Sequence, residues 1–367
     1  MSASGRRIGF VLCSDASAPL PSTRISVFNV LPALRAAGYD PRIAFAPPQP
    51  TERPDVSGLA ARLIADGIDI AYFQKVHGPG VRAEIETLRQ AGVCTVYGVC
   101  DRIDDDMVRL TDATVIVTDY LKQQHAPELQ ARIHVVHDGI EHPEVRCRED
   151  IAAGDGRLRA ILVTSGSPET VPVLGRPPRW LALTVVGQYP ERETPLQALR
   201  ARLRRVRHAP PGERLERLRG YAFTARAWQP QRVYEDLAGA EVGIIPVDMR
   251  PDPLPGRQVS YWQVKSENRL TLKMAAGLAV VASPVPSYLD IIEQGVNGYI
   301  AHSRADWLAA LDALRDPQHR QSVGAAARAS VLQRYSIDEQ ARRLIAVFDG
   351  LRGTAQPAGD TALLRMP

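Results

Sequence analysis

The chain has 367 residues, enough for two α/β domains with separate cores. Its 45 basic and 41 acidic side chains leave a formal charge of +4, too small a surplus to point to a nucleic-acid partner. No apolar run approaches membrane-spanning length or suits a signal peptide, and the four cysteines lack metal or redox spacing, so the cytoplasm is the expected compartment.

Residues 7–13 (RIGFVLC) predict a first buried strand, and Ser22 or Thr23 then caps a helix over 24–37. A strand near 42–45, a proline-rich loop and a helix near 56–66 follow. Residues 69–73 form the next strand, which delivers Gln74, Lys75 and His77 at its carboxyl end. Gly78-Pro79-Gly80 opens a helix over 81–91. A strand at 93–99 ends at Cys100-Asp101, with Asp104 nearby, and another at 113–117 leads to Asp119 and a short helix. Residues 133–140 (IHVVHDGI) read as a strand closed by an Asp-Gly turn. His134 and His137 stand three apart on it and would face opposite sides, which argues against a metal site there. Strand and helix alternate throughout, as in a parallel sheet covered on both faces.

The charged, glycine-containing residues 144–157 read as a linker. Beyond them come strands at 159–164 and 181–186, the first followed by the small-residue loop Ser165-Gly166-Ser167-Pro168. A long arginine-rich helix is expected at 195–207, a short strand at 221–224, a helix at 229–239 and a strand at 241–246. The stretch from Lys265 to Gly298 is the densest part of the chain. Ser266 and Asn268 are candidate N-caps, and Leu270, Leu272, Met274 and Ala275 form a helix face that Gly277 ends. Ala279-Val280-Val281-Ala282 is an apolar run suited to a strand buried on both faces, and a helix over 288–293 follows. Three more helices are expected at 304–315, 317–334 and 337–351.

Ligands of doubly wound sheets sit beyond the carboxyl ends of the strands, which here means residues 283–287. Lys265 and Arg269 flank the start of the preceding helix, where unpaired N–H groups attract phosphate. The alternative is a solvated, charged helix start.

The segment MAAGLAVVASPVPSYLDIIEQGVNGYI resembles the C-terminal signature of GT-B glycosyltransferases, especially the retaining group similar to family 4. WQPQRVYEDLAGAEVGIIPVD resembles a second segment of that group in the right order, and IHVVHDGI followed by Glu141 is similar to the hinge that leaves its N-terminal domain. The resemblance covers about 159–351 well and the first part by pattern alone. It implies an α/β GT-B fold, two Rossmann-like doubly wound parallel-sheet domains facing a cleft. The implied layout is an acceptor-side domain at 1–143, a linker at 144–157 and a nucleotide-sugar domain at 158–335. A helix at 336–352 crosses back, and 353–367 form a tail.

The resemblance further implies a retaining, metal-independent glycosyltransferase that moves a sugar from a nucleotide diphosphate sugar to an acceptor hydroxyl, with no other cofactor. Such enzymes stabilise the departing diphosphate with basic side chains and backbone N–H groups. Two departures stand out. The group's basic pair after the first strand of the second domain is missing, with no basic residue before Arg176, and its paired glutamates fall on Val264 and Leu272. A rewired donor site is therefore expected, in which Lys265 and Arg269 carry the diphosphate and Ser266, Glu267 and Asn268 add polar contacts. Ser165, Gly166 and Ser167 would offer hydroxyls and backbone donors, and Ser287, Tyr288 and Asp290 replace a glycine-rich loop.

On the acceptor side the resemblance points to Ser22, Arg24, Gln74, Lys75 and His77, with Asp101 orienting the acceptor hydroxyl and taking no covalent role. His77, Asp101, Lys265 and Arg269 are the expected catalytic set. Helix capping by Ser22, a surface role for His77 and an ordinary turn at Ser165 remain open. The acceptor could be a glycan, a lipid-linked group or a small molecule. The arginine-rich helix could touch an anionic membrane or simply face solvent. The rival functions are a silent GT-B module that scaffolds a partner, or another enzyme on the same fold such as a nucleotide-sugar epimerase or a glycosyl phosphorylase.

Overall fold

Apolar runs set between polar helices become the strands of two parallel sheets. The computed structural model describes residues 5–147, 156–166, 168, 171, 173, 174, 176–190, 200, 203, 206, 207, 214, 223–230, 232–249, 259 and 262–351. The chain divides into two compact units. The first takes the chain up to Glu141, the short segment Val264–Ser266, and everything from Tyr335 onward; the second takes His142–Gln263 and Glu267–Arg334. Val264–Ser266 thus cluster with the first unit, although the expected boundary at 158–335 would place them in the second.

The first unit is built on β1 (Arg7–Val11), β2 (Asp40–Phe45), β3 (Ile70–Gln74), β4 (Cys94–Val99), β5 (Ala113–Ile116) and β6 (Ile133–Val135). They pair in the order β2-β1-β3-β4-β5-β6, and every pairing is parallel. Its helices are α1 (Pro21–Ser26), α2 (Leu31–Ala36), α3 (Leu59–Ala65), α4 (Pro79–Gln90), α5 (Asp105–Leu110) and α6 (Asp119–Gln123). The single helix expected at 24–37 is broken. α1 stops at Ser26, a 3₁₀ turn spans Phe28–Val30, and α2 restarts around Pro32, which has no N–H to continue the ladder. Leu20 holds the cap position of α1, so neither Ser22 nor Thr23 caps it. β6 is also shorter than 133–140, and Ile140 makes only an isolated bridge to Ser336.

The second unit carries β7 (Leu158–Val163), β8 (Leu181–Gly187), β9 (Phe223–Ala227), β10 (Val242–Ile245), β11 (Ala279–Ala282) and β12 (Tyr299–Ile300). Their order is β12-β11-β10-β7-β8-β9, again parallel throughout. The helices among its described residues are α7 (Arg232–Ala238), α8 (Asn268–Ala275), α9 (Pro286–Leu289), α10 (Arg304–Ala313) and α11 (Pro317–Leu332). α9 is a single turn that ends where the longer helix at 288–293 was expected to begin. Ser266 and Asn268 do not cap α8. Glu267 holds that position without a side-chain cap, and its carbonyl oxygen accepts from the N–H groups of Leu270 and Thr271. Ser167, residues 148–155 of the linker, most of the arginine-rich stretch 195–207 and the tail from 352 lie outside the described residues.

The last helix, α12 (Ile337–Gly350), starts behind Ser336, whose hydroxyl accepts from the Glu339 N–H. Its Ala341, Leu344, Val347 and Phe348 enter the first unit's core beside Ile8, Phe10, Ile70 and Tyr72. Phe348 meets the Tyr72 ring edge-on at 6.2 Å. No helix among the described residues is long and apolar enough to cross a membrane.

Candidate active site

In both sheets the strand order reverses once, between β1 and β3 in the first and between β7 and β10 in the second. Loops that leave strands in opposite directions open a crevice there, where such folds bind ligands. Lys75 follows β3 beside the first reversal, and Ser165 follows β7 beside the second.

In the second unit, β7 ends in Thr164-Ser165-Gly166 on one side of the reversal. The first turn of α8 supplies Arg269, whose Nη2 donates to the Ser165 hydroxyl at 3.2 Å. The guanidinium also lies over the Trp262 ring, 5.0 Å from its centroid, a cation–π contact. Ser165 is exposed and Gly166 half-buried, so both remain accessible. Beyond β11, Ser287 and Tyr288 are buried while Asp290 is exposed at the end of α9. The Ser287 Oγ has no hydrogen-bond partner, an unusual state for a buried hydroxyl. Burial pushes the Tyr288 phenol up to about 12, an effect that Arg269 opposes and Glu267 reinforces. Asn268 is half-buried, but Glu267 is only 1% exposed, too enclosed to meet a ligand from solvent.

One further group in α8 escaped the sequence reading. Lys273 is only 1% exposed, and its Nζ donates to the Arg269 carbonyl at 3.0 Å, one helical turn back. Its stem crosses β10 at Gly243, where a Cβ would stand 2.6 Å from the lysine Cδ. Burial, and then the charge of Arg269, push its amine down to about 7.

The first unit holds a linked set of charges at the ends of β3 and β4. Lys75 Nζ lies 2.9 Å from Glu52 Oε1 and 2.9 Å from Asp101 Oδ1. Lys265 Nζ meets the other oxygen of Asp101 at 3.3 Å, and Arg102 meets Glu52 at 2.8 Å. The order Lys265, Asp101, Lys75, Glu52, Arg102 alternates in sign. Burial opposes the charge on Lys75, but Cys100, Asp101 and Glu52 outweigh it and hold the amine protonated. Burial likewise raises the Glu52 carboxyl, but Lys75 and Arg102 bring it below the usual range. Lys75 is also held at φ +61°, the one non-glycine residue at positive φ among those described and a conformation that costs free energy. His77 is 5% exposed, takes its place through an N–H bond to the Glu52 carbonyl, and is kept below its ordinary pKa by burial and then Arg102.

The remaining acceptor-side candidates are committed to the fold. Gln74 is buried, and its Oε1 accepts from the Cys13 N–H and the Thr23 hydroxyl. Arg24 forms a two-point ion pair with Glu141 at 2.6 and 2.8 Å, which Asn29 joins. Ser22 lines a cavity of about 30 Å³ with Lys75, His137, Asp138 and Gln340, room for a water-sized group rather than a sugar. Lys265 and Arg269 were expected to act together; Lys265 pairs with Asp101, whereas Arg269 meets Ser165 and Trp262. Glu52 and Arg102 were missed because only the fold brings a proline-rich loop to the end of β4. Among the described residues, no group of three His, Cys, Asp or Glu side chains could hold a metal ion.

Residues 257–346 match the glycosyl transferase-like family. No curated protein matches the chain's sequence. Solved structures are similar over nearly its whole length. A glycosyltransferase from Rickettsia africae shares 11% identity, with a TM-score of 0.67 over 96% of this chain and 100% of that one. Sucrose-phosphate synthase from Thermosynechococcus elongatus shares 14%, with a TM-score of 0.65 over 95% and 99%. Anabaena HepE, solved with UDP-glucose, shares 12%, with a TM-score of 0.61 over 94% and 99%. The chain therefore has the two-sheet α/β fold of the GT-B glycosyltransferases and, over residues 257–346, the sequence character of the glycosyl transferase-like family.

Proposed function

We propose that the chain is a retaining, metal-independent glycosyltransferase that transfers a sugar from a nucleotide diphosphate sugar to an acceptor hydroxyl. The observation that carries the reading is Arg269. It stands in the first turn of α8, beside the strand-order reversal of the second sheet, and reaches the loop after β7. Departure of the sugar leaves negative charge on the diphosphate, and a fixed guanidinium stabilises that charge as it develops. The N–H groups of the Ser165 loop and the Ser287 hydroxyl offer further donors. HepE is seen with UDP-glucose, which supports a nucleotide-sugar donor for this fold.

In the first unit, Asp101 and His77 are the groups suited to an acceptor hydroxyl. Asp101, bonded to two lysines, orients the hydroxyl as an acceptor of its hydrogen bond rather than removing its proton. A neutral His77 can donate or accept. Lys265 holds Asp101 in place instead of meeting the diphosphate, and Lys75 does the same from the other side. The acceptor is a glycan, a lipid-linked group or a small molecule. Retention of configuration and independence from metal rest on the resemblance to the family 4 group, and the cytoplasm remains the proposed compartment.

A thermal-shift panel with UDP, GDP, ADP, CDP and dTDP, each with and without magnesium, tests the reading. A nucleotide at one hundred times its dissociation constant adds roughly 2.7 kcal/mol. One nucleotide should stabilise the wild type regardless of magnesium and stabilise Arg269→Ala by half as much or less. No response to any nucleotide overturns the reading in favour of a silent scaffold module.

A further inference from the structure

The donor reading leaves Lys273 unused. A lysine costs free energy when its ammonium is withdrawn from water, and a helix that packs an apolar face accepts leucine or methionine there more readily. Here the stem is given room by Gly243, and the amine ends on the backbone of the residue proposed to hold the diphosphate. Among the described residues, no carboxylate pairs with the amine, whose hydrogen bond goes to the Arg269 carbonyl. β10 (VGII) and β11 (AVVA) carry no titratable side chain. α11 brings Arg328, which spends its charge on the carbonyls of Ala275, Pro143 and Val145. The charge that acts on the amine is that of Arg269, which repels its protonated form.

Resting on the donor site proposed above, we infer that Lys273 is a positioning residue for Arg269, and that binding of the donor's diphosphate draws a proton from the buffer onto the Lys273 amine. An anion against Arg269 cancels the repulsion that helps keep the amine neutral, while the burial that also does so stays unchanged. The bound state then holds more protons than the free state at pH values just above the amine's pKa. By linkage, donor affinity rises as pH falls through that window. The amine-to-carbonyl bond fixes the first turn of α8 in both states, so the effect reaches the ligand through Arg269.

The test is calorimetric titration of the full chain with UDP-glucose, and with GDP-mannose and ADP-glucose if UDP-glucose does not bind. A nucleotide sugar is esterified at both ends of its diphosphate, so its own charge stays constant near neutral pH. Titrations at about pH 7.5 in two buffers of different ionisation enthalpy count the protons taken up. The wild type should take up a fraction of a proton. Its affinity should fall several-fold between about pH 6.5 and 8.5, with about tenfold the ceiling for each pH unit by which binding raises the amine's pKa. Lys273→Met keeps the stem's length and should bind with no uptake and a flat pH profile. A donor that binds wild type without proton uptake overturns the inference and leaves the donor site standing, whether or not the variant folds. Equal uptake by wild type and Lys273→Met also overturns it. If none of the nucleotide sugars binds, the inference falls together with the transferase reading.

Discussion

The two units treat charge in opposite ways at the same topological position. At the ends of β3 and β4, every charged group of the first unit's set has a partner of opposite sign, from Lys265 through Asp101, Lys75 and Glu52 to Arg102. At the second unit's reversal, no carboxylate pairs with Arg269 or Lys273 among the described residues. Arg269 leans on an aromatic ring and a hydroxyl, Lys273 is buried beneath it, and Ser287 keeps an unpartnered hydroxyl. The first arrangement is electrostatically complete before any ligand arrives, which suits a neutral hydroxyl-bearing molecule. The second leaves its arginine without a paired carboxylate among the described residues, which suits a diphosphate.

The largest test of that contrast is to unbalance the completed set. Asp101→Asn leaves two lysines facing a neutral amide, and breaking a mostly buried pair of this kind costs about 3–5 kcal/mol. Urea denaturation should show that loss, and an unchanged midpoint would mean the network contributes little. The mirror experiment relieves the second unit. The ordinary lysine pKa is 10.5 and the Lys273 amine sits at about 7, so between these values the unfolded chain holds a proton that the folded chain lacks. Stability therefore rises with pH across that window, and the burial penalty is complete below about 7. Lys273→Met should stabilise the protein by on the order of a few kcal/mol at neutral pH, a gain that shrinks toward pH 10.5. A gain that does not change with pH would contradict the assignment.

Ligand binding sharpens the contrast further. Arg269→Ala removes one charge-assisted hydrogen bond, worth about 1.5–3 kcal/mol, so nucleoside diphosphate affinity should drop by roughly tenfold to a hundredfold in calorimetry. The smallest effect is expected at Ser287. Replacing a buried, unpartnered hydroxyl by alanine should leave the free protein unchanged or more stable by about 1 kcal/mol while weakening the nucleotide. Stabilisation without any loss of binding would take Ser287 out of the site.

What was legible beforehand follows the same division. The strand Ala279–Ala282 was read from the sequence with its observed bounds, because a run of small apolar residues closed by proline admits few alternatives. Arg269 and the loop at Ser165 were singled out from their positions together with the family resemblance. Lys273 was passed over because a lysine within a helix ordinarily faces water, and the glycine that admits it lies on another strand. The pairing of Lys265 with Asp101 joins residues 164 positions apart, a distance over which no local pattern carries information. The break in the helix after β1 is less visible because the apolar spacing runs on across Pro32, whose missing N–H interrupts the ladder.

The packing of α12 against the first sheet affects how the protein is made. Phe348 and Leu344 complete a core that begins at Ile8, and Arg6 donates to the Phe348 carbonyl. During synthesis the first unit must therefore wait for a helix that is made after the whole of the second unit. The second unit is encoded almost entirely within that interval, so it can close while the first remains an unfinished sheet. A chain cut before Ile337 should yield a folded second half attached to an aggregation-prone first, which limited proteolysis of the truncated product would distinguish.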